Sequence, residues 1–330
     1  MPPFRNHRKS ERRRKGMQQR APLWDVVVIG AGIAGLSTAI WARRLNLTAI
    51  VLEAKTTPGG QLLELTFPIP DYPGLPGIQG PDLAQILYRQ ALDAGAEVRL
   101  GTPVLWLEPE THSCTTPTGT FRARRAVVVA TGLRPRRLEV PGEAELHQAG
   151  LVRRPSQELA WFRGKRVAVV GGGDRAAENA ALLASEAADV FLIHRRSQLR
   201  ARAALAAPLF QLPNIHFRWN TRVTAFAVRP DAADRSAAAT LFLTGPGGET
   251  QLEVDAVCIY IGNVPNDGLL SAAAASPVDA SGCTTAPGIY AVGDVNLPPV
   301  HQSLVACAAQ AMMAAKAIAL QQSPGDEADK

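Results

Sequence analysis

"WDVVVIGAGIAGLSTAIWARRLNLTAIVLEA", residues 24–54, carries the pattern that decides the fold. Residues 26–29 are a short, wholly apolar run, suited to a parallel strand buried on both faces. Gly30, Gly32 and Gly35 follow as GxGxxG, with Ile33 and Ala34 inside the turn, and a helix with small residues at Ser37 and Ala39 comes next. A second strand, Ala49–Leu52, leads into Glu53. Glycines in such a turn let the backbone approach a pyrophosphate at the helix N-terminus, where free N–H groups and the helix dipole favour an anion. Glu53 is placed to accept hydrogen bonds from a ribose diol. A lone GxGxxG is weak evidence, but strand, turn, helix, strand and terminal acid together specify a dinucleotide-binding unit.

The plan recurs further along the chain. Residues 167–170 read as a strand, Gly171, Gly173 and Ala176 give GxGxxA around Asp174 and Arg175, and 190–193 read as the next strand. Gly30 to Glu53 is 23 residues, and Gly171 to His194 is also 23. His194 therefore stands where Glu53 stands in the first unit, with Arg195, Arg196 and Arg200 close behind. Replacing an acid with a basic cluster removes repulsion against a 2′-phosphate and adds charge-assisted hydrogen bonds. NADPH is accordingly the expected nucleotide. Two dinucleotide units in one chain point to a flavin–nicotinamide oxidoreductase, with FAD held permanently on one and NADP(H) exchanging on the other.

Composition narrows the class. The net charge of +6 is unevenly spread: residues 1–20 hold eight Lys/Arg against one acid, leaving 27 basic and 28 acidic residues, or −1, for the rest. Residues 1–20 are expected to be a disordered tail, with Met17 a possible alternative start. A nucleic-acid-binding body is not expected, nor a membrane span, since no run of about 18 uncharged apolar residues occurs. Cys114, Cys258, Cys283 and Cys307 fit no metal-ligand spacing, so no metal site is expected and the thiols read as reduced, in a cytoplasmic protein.

Further motifs follow in a fixed order: GGQL with Gly60, Gln61 and Leu62; ATG with Thr131 and Gly132; HRR; GNVPN, where Ile261 precedes Gly262; and GIYAVGD with Gly293 and Asp294. Over residues 24–322 the chain resembles the low-molecular-weight thioredoxin reductases and their thioredoxin-reductase-like relatives. The resemblance implies an α/β fold of two Rossmann-like dinucleotide-binding domains. The FAD domain would be discontinuous, 21–134 and 264–330, with an NADPH domain inserted at 135–263. It implies that Gly30, Gly32, Gly35 and Glu53 hold the FAD pyrophosphate and ribose. Gly60, Gln61 and Leu62 would line the flavin side, and Asp294 would bind ribityl hydroxyls. Gln302, Ser303 and Leu304 would open a helix aimed at the flavin pyrimidine ring. Tyr72 falls where the family has an aromatic before Pro-Gly and could lie near the ring. A homodimer is implied as well.

One stretch departs from the family. Thioredoxin reductases carry CxxC with its second cysteine fourteen residues before the second glycine turn. Here that position is Gln157 and the first cysteine position is Arg154, in Arg154-Pro155-Ser156-Gln157. No side chain there can attack a disulfide, which requires a thiolate. The segment is more similar to that of the thioredoxin-reductase-like ferredoxin/flavodoxin–NADP reductases, which also lack CxxC. The expectation is an NADPH-dependent flavoprotein passing electrons to ferredoxin or flavodoxin, with no indispensable acid–base side chain. The polar C-terminal end lacks the aromatic cover such reductases carry. Two alternatives stay open: reduction of a small disulfide or quinone directly by the flavin, and a non-catalytic redox or nucleotide sensor. A bacillithiol-disulfide reductase would have a cysteine in the first glycine turn, where Ile33-Ala34 stands.

Overall fold

The computed structural model describes residues 23–65, 67–229, 238–270 and 279–321. The basic tail and the polar C-terminal end lie outside the described residues. Residues 24–54 form strand Leu23–Ile29, helix Ile33–Arg44 and strand Ala49–Leu52, the two strands parallel. The first strand begins three residues earlier than its apolar run predicts. Leu23 and Trp24 extend the pairing with Gly119–Val129, and Trp24 packs on Phe121.

Alternation along its last four residues shows why 26–29 is wholly apolar. Val26 and Val28 enter one core, with helices Ile33–Arg44, Gly80–Asp93 and Leu304–Leu320. Val27 and Ile29 enter another, with Leu107, Phe121 and Ile289. Both faces are covered here, so no position within 26–29 is free to be polar. The sheet runs Glu97–Arg99, Ala49–Leu52, Leu23–Ile29, Gly119–Val129, Ser113–Thr116 and Trp106–Glu108, the last two antiparallel. Strand Ile289–Ala291, over 150 residues downstream, pairs parallel with the C-terminal end of Gly119–Val129. That return brings Asp294 beside the first glycine turn.

The second sheet is parallel throughout: Ile215–Arg218, Asp189–Ile193, Arg166–Gly171 and Ala256–Tyr260. Helix Asp174–Ala184 covers one face. An antiparallel sheet of Arg222–Val228, Ala239–Gly245 and Gly248–Val254 covers the other, with Leu241 and Val254 on Ala168 and Val170. The chain leaves the first sheet through Leu133–Pro135 and returns through Asn263–Pro265, and these strands pair antiparallel. The α/β class with two Rossmann-like units is therefore what the chain adopts.

Candidate functional site

Two glycine turns and the paired crossing strands frame three neighbouring cavities. The first, about 650 Å³, lies over the first turn and is lined by Gly30, Gly32, Ile33, Ala34, Glu53, Gly60, Gln61, Leu62, Thr131, Gly132 and Asp294. Eleven positions read from the sequence thus converge on one space, though they span more than 260 residues. Gly30 sits at φ +105°, and a Cβ there would meet the Ala130 carbonyl at 2.6 Å, so position 30 tolerates no side chain. Helix Ile33–Arg44 starts at Gly32 with no side-chain cap, leaving its N-terminal N–H groups for a ligand. The buried Glu53 carboxylate accepts the Ala31 N–H at 2.6 Å and the Lys55 N–H at 2.9 Å, which fixes its remaining lone pairs at the cavity wall. These features fit the diphosphate and ribose of FAD.

The wall around Gln61 and Asp294 is held by side chains meeting across the fold. The GGQL segment forms a 3₁₀ turn, Gly60–Glu64, rather than a simple glycine loop. Gln61 Nε2 donates to Asp294 Oδ2 at 3.1 Å, and the Cys307 thiol donates to Asp294 Oδ1 at 3.3 Å. Gly293, Gln302 and Ser303 stand behind the wall instead of in it. The Gly293 N–H donates to the buried Gln310 Oε1, and Gln302 Nε2 donates to the Leu297 carbonyl. Ser303 Oγ accepts the Ala306 N–H as N-cap of helix Leu304–Leu320. Leu304 and Cys307 of that helix do reach the cavity. Gly35 serves helix–strand packing, since a Cβ there would overlap the Gly30 carbonyl. Tyr72 packs against the core and is not part of the cavity wall.

The second cavity, about 880 Å³, is a cleft over the second turn, lined by Gly173, Asp174, Arg175, Ala176, Arg200 and Gly262. Helix Asp174–Ala184 also begins on a glycine, Gly173, without a side-chain cap. Asp174 directs both carboxylate oxygens to Arg202, whose N–H and Nε donate at 2.8 and 2.7 Å. That pair folds residues 195–202 over the turn, and the Arg200 N–H reaches the Gly172 carbonyl at 2.6 Å. Arg175 points to the first unit, donating to Gln61 Oε1 at 3.2 Å and pairing with Glu64 at 3.5 Å.

The third cavity, about 380 Å³, adjoins the second and is lined by Gly171, His194, Arg195, Arg200, Arg222, Ile261 and the linker residues Arg136 and Arg137. Arg196 is not in its wall; its carbonyl accepts the Asn220 N–H. His194 is buried, its ring over Gly172 and its Nε2 without a partner. Burial lowers its pKa below the ordinary 6.5, and the Arg200, Arg196 and Arg195 charges act the same way. The ring is therefore neutral at pH 7, and the positive charge here comes from arginines. Because the folded pKa lies below the unfolded one, protons favour the unfolded chain. The stability from neutral His194 is present above pH 6.5 and lost as pH falls through the folded value. Thermal melts across that range are expected to flatten in a His194→Gln variant.

No thiol among the described residues is set up for exchange. All four cysteines are free; Cys114, Cys258 and Cys307 are buried and Cys283 half-buried. Burial pushes the Cys114 and Cys307 thiols up to about 12, the latter helped by Asp294, and raises Cys258 and Cys283 as well. At neutral pH none is a thiolate. No cluster of metal-ligating side chains occurs among the described residues, and no described helix is long and apolar enough to cross a membrane.

Sequence reading missed Arg136, Arg137 and Arg222 in the third cavity and Lys55 and Cys307 in the first. It also missed Glu64 and Arg154, which face both larger cavities. The only sequence signal was the basic run Arg134-Pro135-Arg136-Arg137 immediately after the ATG motif.

Comparison with known proteins gives a consistent result. The family model for pyridine nucleotide-disulphide oxidoreductases matches residues 24–317. Thioredoxin reductase of Bacillus subtilis is 32% identical over 86% of this chain and 90% of its own. That of Treponema pallidum is 35% identical over 88% and 95%. Among solved structures, Lactococcus lactis thioredoxin reductase superposes with a TM-score of 0.78 at 27% identity, over 89% of this chain and 97% of the other. T. acidophilum thioredoxin reductase gives 0.75 at 25% identity, over 90% and 98%.

Proposed function

Since the chain belongs to the pyridine nucleotide-disulphide oxidoreductase family, and is an NADPH-dependent flavoprotein oxidoreductase using FAD, we propose that its electrons leave for a separate redox protein of ferredoxin or flavodoxin type. On this reading it is not a thioredoxin reductase. Residues 21–134 with 264–330 bind FAD, residues 135–263 bind NADPH, and the enzyme is a cytoplasmic homodimer. The observation that carries the proposal is Arg154-Pro155-Ser156-Gln157 at the family's disulfide position, in a chain whose four thiols are all held protonated.

FAD supplies the conversion of two-electron hydride chemistry from NADPH into one-electron transfers. The chain's own residues bind and orient. Uncapped N–H groups after Gly32 and Gly173 hold the two diphosphates. Glu53 and Asp294 hold sugar and ribityl hydroxyls, and Arg195 and Arg200 hold the 2′-phosphate. Neither cavity needs a proton-transferring side chain for this work, so the enzyme depends on positioning and charge.

The test is an acceptor screen. Purified protein with NADPH is expected to reduce cytochrome c only when ferredoxin or flavodoxin is added. With thioredoxin and a chromogenic disulfide it is expected to stay at background. Thioredoxin-dependent turnover would overturn the proposal, and rapid reduction of a quinone or small disulfide without a carrier protein would replace it with direct transfer.

A further inference from the structure

Arg154 occupies the first cysteine position of the family's disulfide, and its side chain is not turned away to solvent. It forms part of the wall of both the flavin-side cavity and the basic cleft. Its guanidinium pairs with Glu64 Oε1, and Glu64 also lines both spaces. Glu64 closes the 3₁₀ turn that carries Gln61, so its carboxylate is anchored beside the Gln61–Asp294 contact.

The backbone under Arg154 is fixed within its own unit. The Arg153 N–H donates to the Val257 carbonyl at 3.0 Å, and Val152 bridges to Val257. Arg153 stacks on Trp161 at 3.9 Å and pairs with Glu158 at 2.6 Å. One arginine anchors the segment while the next reaches the cavity. The other charge on Glu64 is Arg175, at 3.5 Å. Burial raises the pKa of the nearby Tyr260 phenol, which therefore stays neutral and adds no charge.

We propose that Arg154 and Glu64 form an ion pair that sets the reduction potential of the flavin, the arginine raising it and the carboxylate lowering it. Negative charge builds on a flavin as it is reduced, so a cation in the wall favours the reduced form and an anion disfavours it. The pair is partly shielded from water, with side-chain exposures of 34% and 16%, so each charge is felt more strongly than at the surface. The position that serves thiol exchange in the relatives would here serve electrostatics. This inference rests on the reading of the first cavity as the FAD site, and not on which acceptor takes the electrons.

The experiment is a spectroelectrochemical titration of the flavin-loaded protein as wild type, Arg154→Met, Glu64→Gln and the double variant. The midpoint potential is expected to fall in Arg154→Met, to rise in Glu64→Gln, and to return toward wild type in the double variant. Arg154→Lys is expected to hold the wild-type value, and raised salt to shrink every shift. Opposite signs are what a loss of packing does not produce. Unmoved potentials, or shifts of one sign in both single variants, with flavin bound, would overturn this inference alone. A wild-type protein that takes up no FAD would overturn the reading of the cavity and this inference with it. Should Arg154→Met lose its flavin, a fall or no change in Glu64→Gln would still overturn it.

Discussion

A Gly32→Asp variant is expected to fold normally and to purify colourless. Gly32 precedes helix Ile33–Arg44 at φ −77° and ψ −175°, an extended conformation open to any residue. No protein atom lies within 4 Å of a Cβ placed there. Aspartate is a favoured N-cap, so the helix gains a few tenths of a kcal/mol from the cap and about 0.3–1 kcal/mol from the dipole. On the proposed assignment, the N–H groups it satisfies are those that would hold the FAD diphosphate, and its charge would repel that diphosphate. Losing about three charge-assisted hydrogen bonds at about 1.5 kcal/mol each weakens FAD binding by about 10³-fold. Flavin absorbance, reconstitution titration and thermal melting of the apoprotein against apo wild type check the two halves separately. A normal flavin content would remove the diphosphate assignment. Gly173 has the same geometry, φ −96° and ψ −177° with open space beyond, so Gly173→Asp is expected to stay yellow while losing NADPH binding.

The place of these two glycines in the fold was legible because the pattern is local: each ends a strand-turn segment and opens an uncapped helix. The same holds for the apolar run 26–29, where burial on both faces leaves no alternation to read. The Arg154–Glu64 pair was not legible. Its members lie on different units 90 residues apart, and only the return through the paired crossing strands brings them together. Asp294 was recognisable from its motif, whereas the Gln61 and Cys307 contacts that orient it come from a 3₁₀ turn and from one turn into a helix. Arg196 shows a limit of spacing alone. In the sequence it is equivalent to Arg195, but the strand end at Ile193 and the contact with Asn220 give the two residues different surroundings. Spacing identifies a cluster, and the backbone path decides which members line the cavity.

That distinction sets the other large effect. Arg195→Ala combined with Arg200→Ala is expected to lower the preference for NADPH over NADH by at least about 10²-fold, since two charged hydrogen bonds at about 1.5 kcal/mol or more each are lost. Arg196→Ala alone is expected to leave the preference within about threefold, as for a surface substitution worth about 0.5 kcal/mol. NADH binding should change little in either variant, because it lacks the 2′-phosphate that these guanidiniums would pair with. The measurement is the NADPH and NADH dissociation constants from stopped-flow bleaching of the flavin. An unchanged ratio in the double variant would remove the phosphate from this cavity. A larger fall in Arg196→Ala than in Arg195→Ala would reverse the assignment between them. The loss should also be incomplete, because Arg136, Arg137 and Arg222 remain in the same wall. Adding Arg136→Ala and Arg137→Ala is therefore expected to reduce the remaining preference further, and would assign part of NADPH selection to the linker that follows strand Leu133–Pro135.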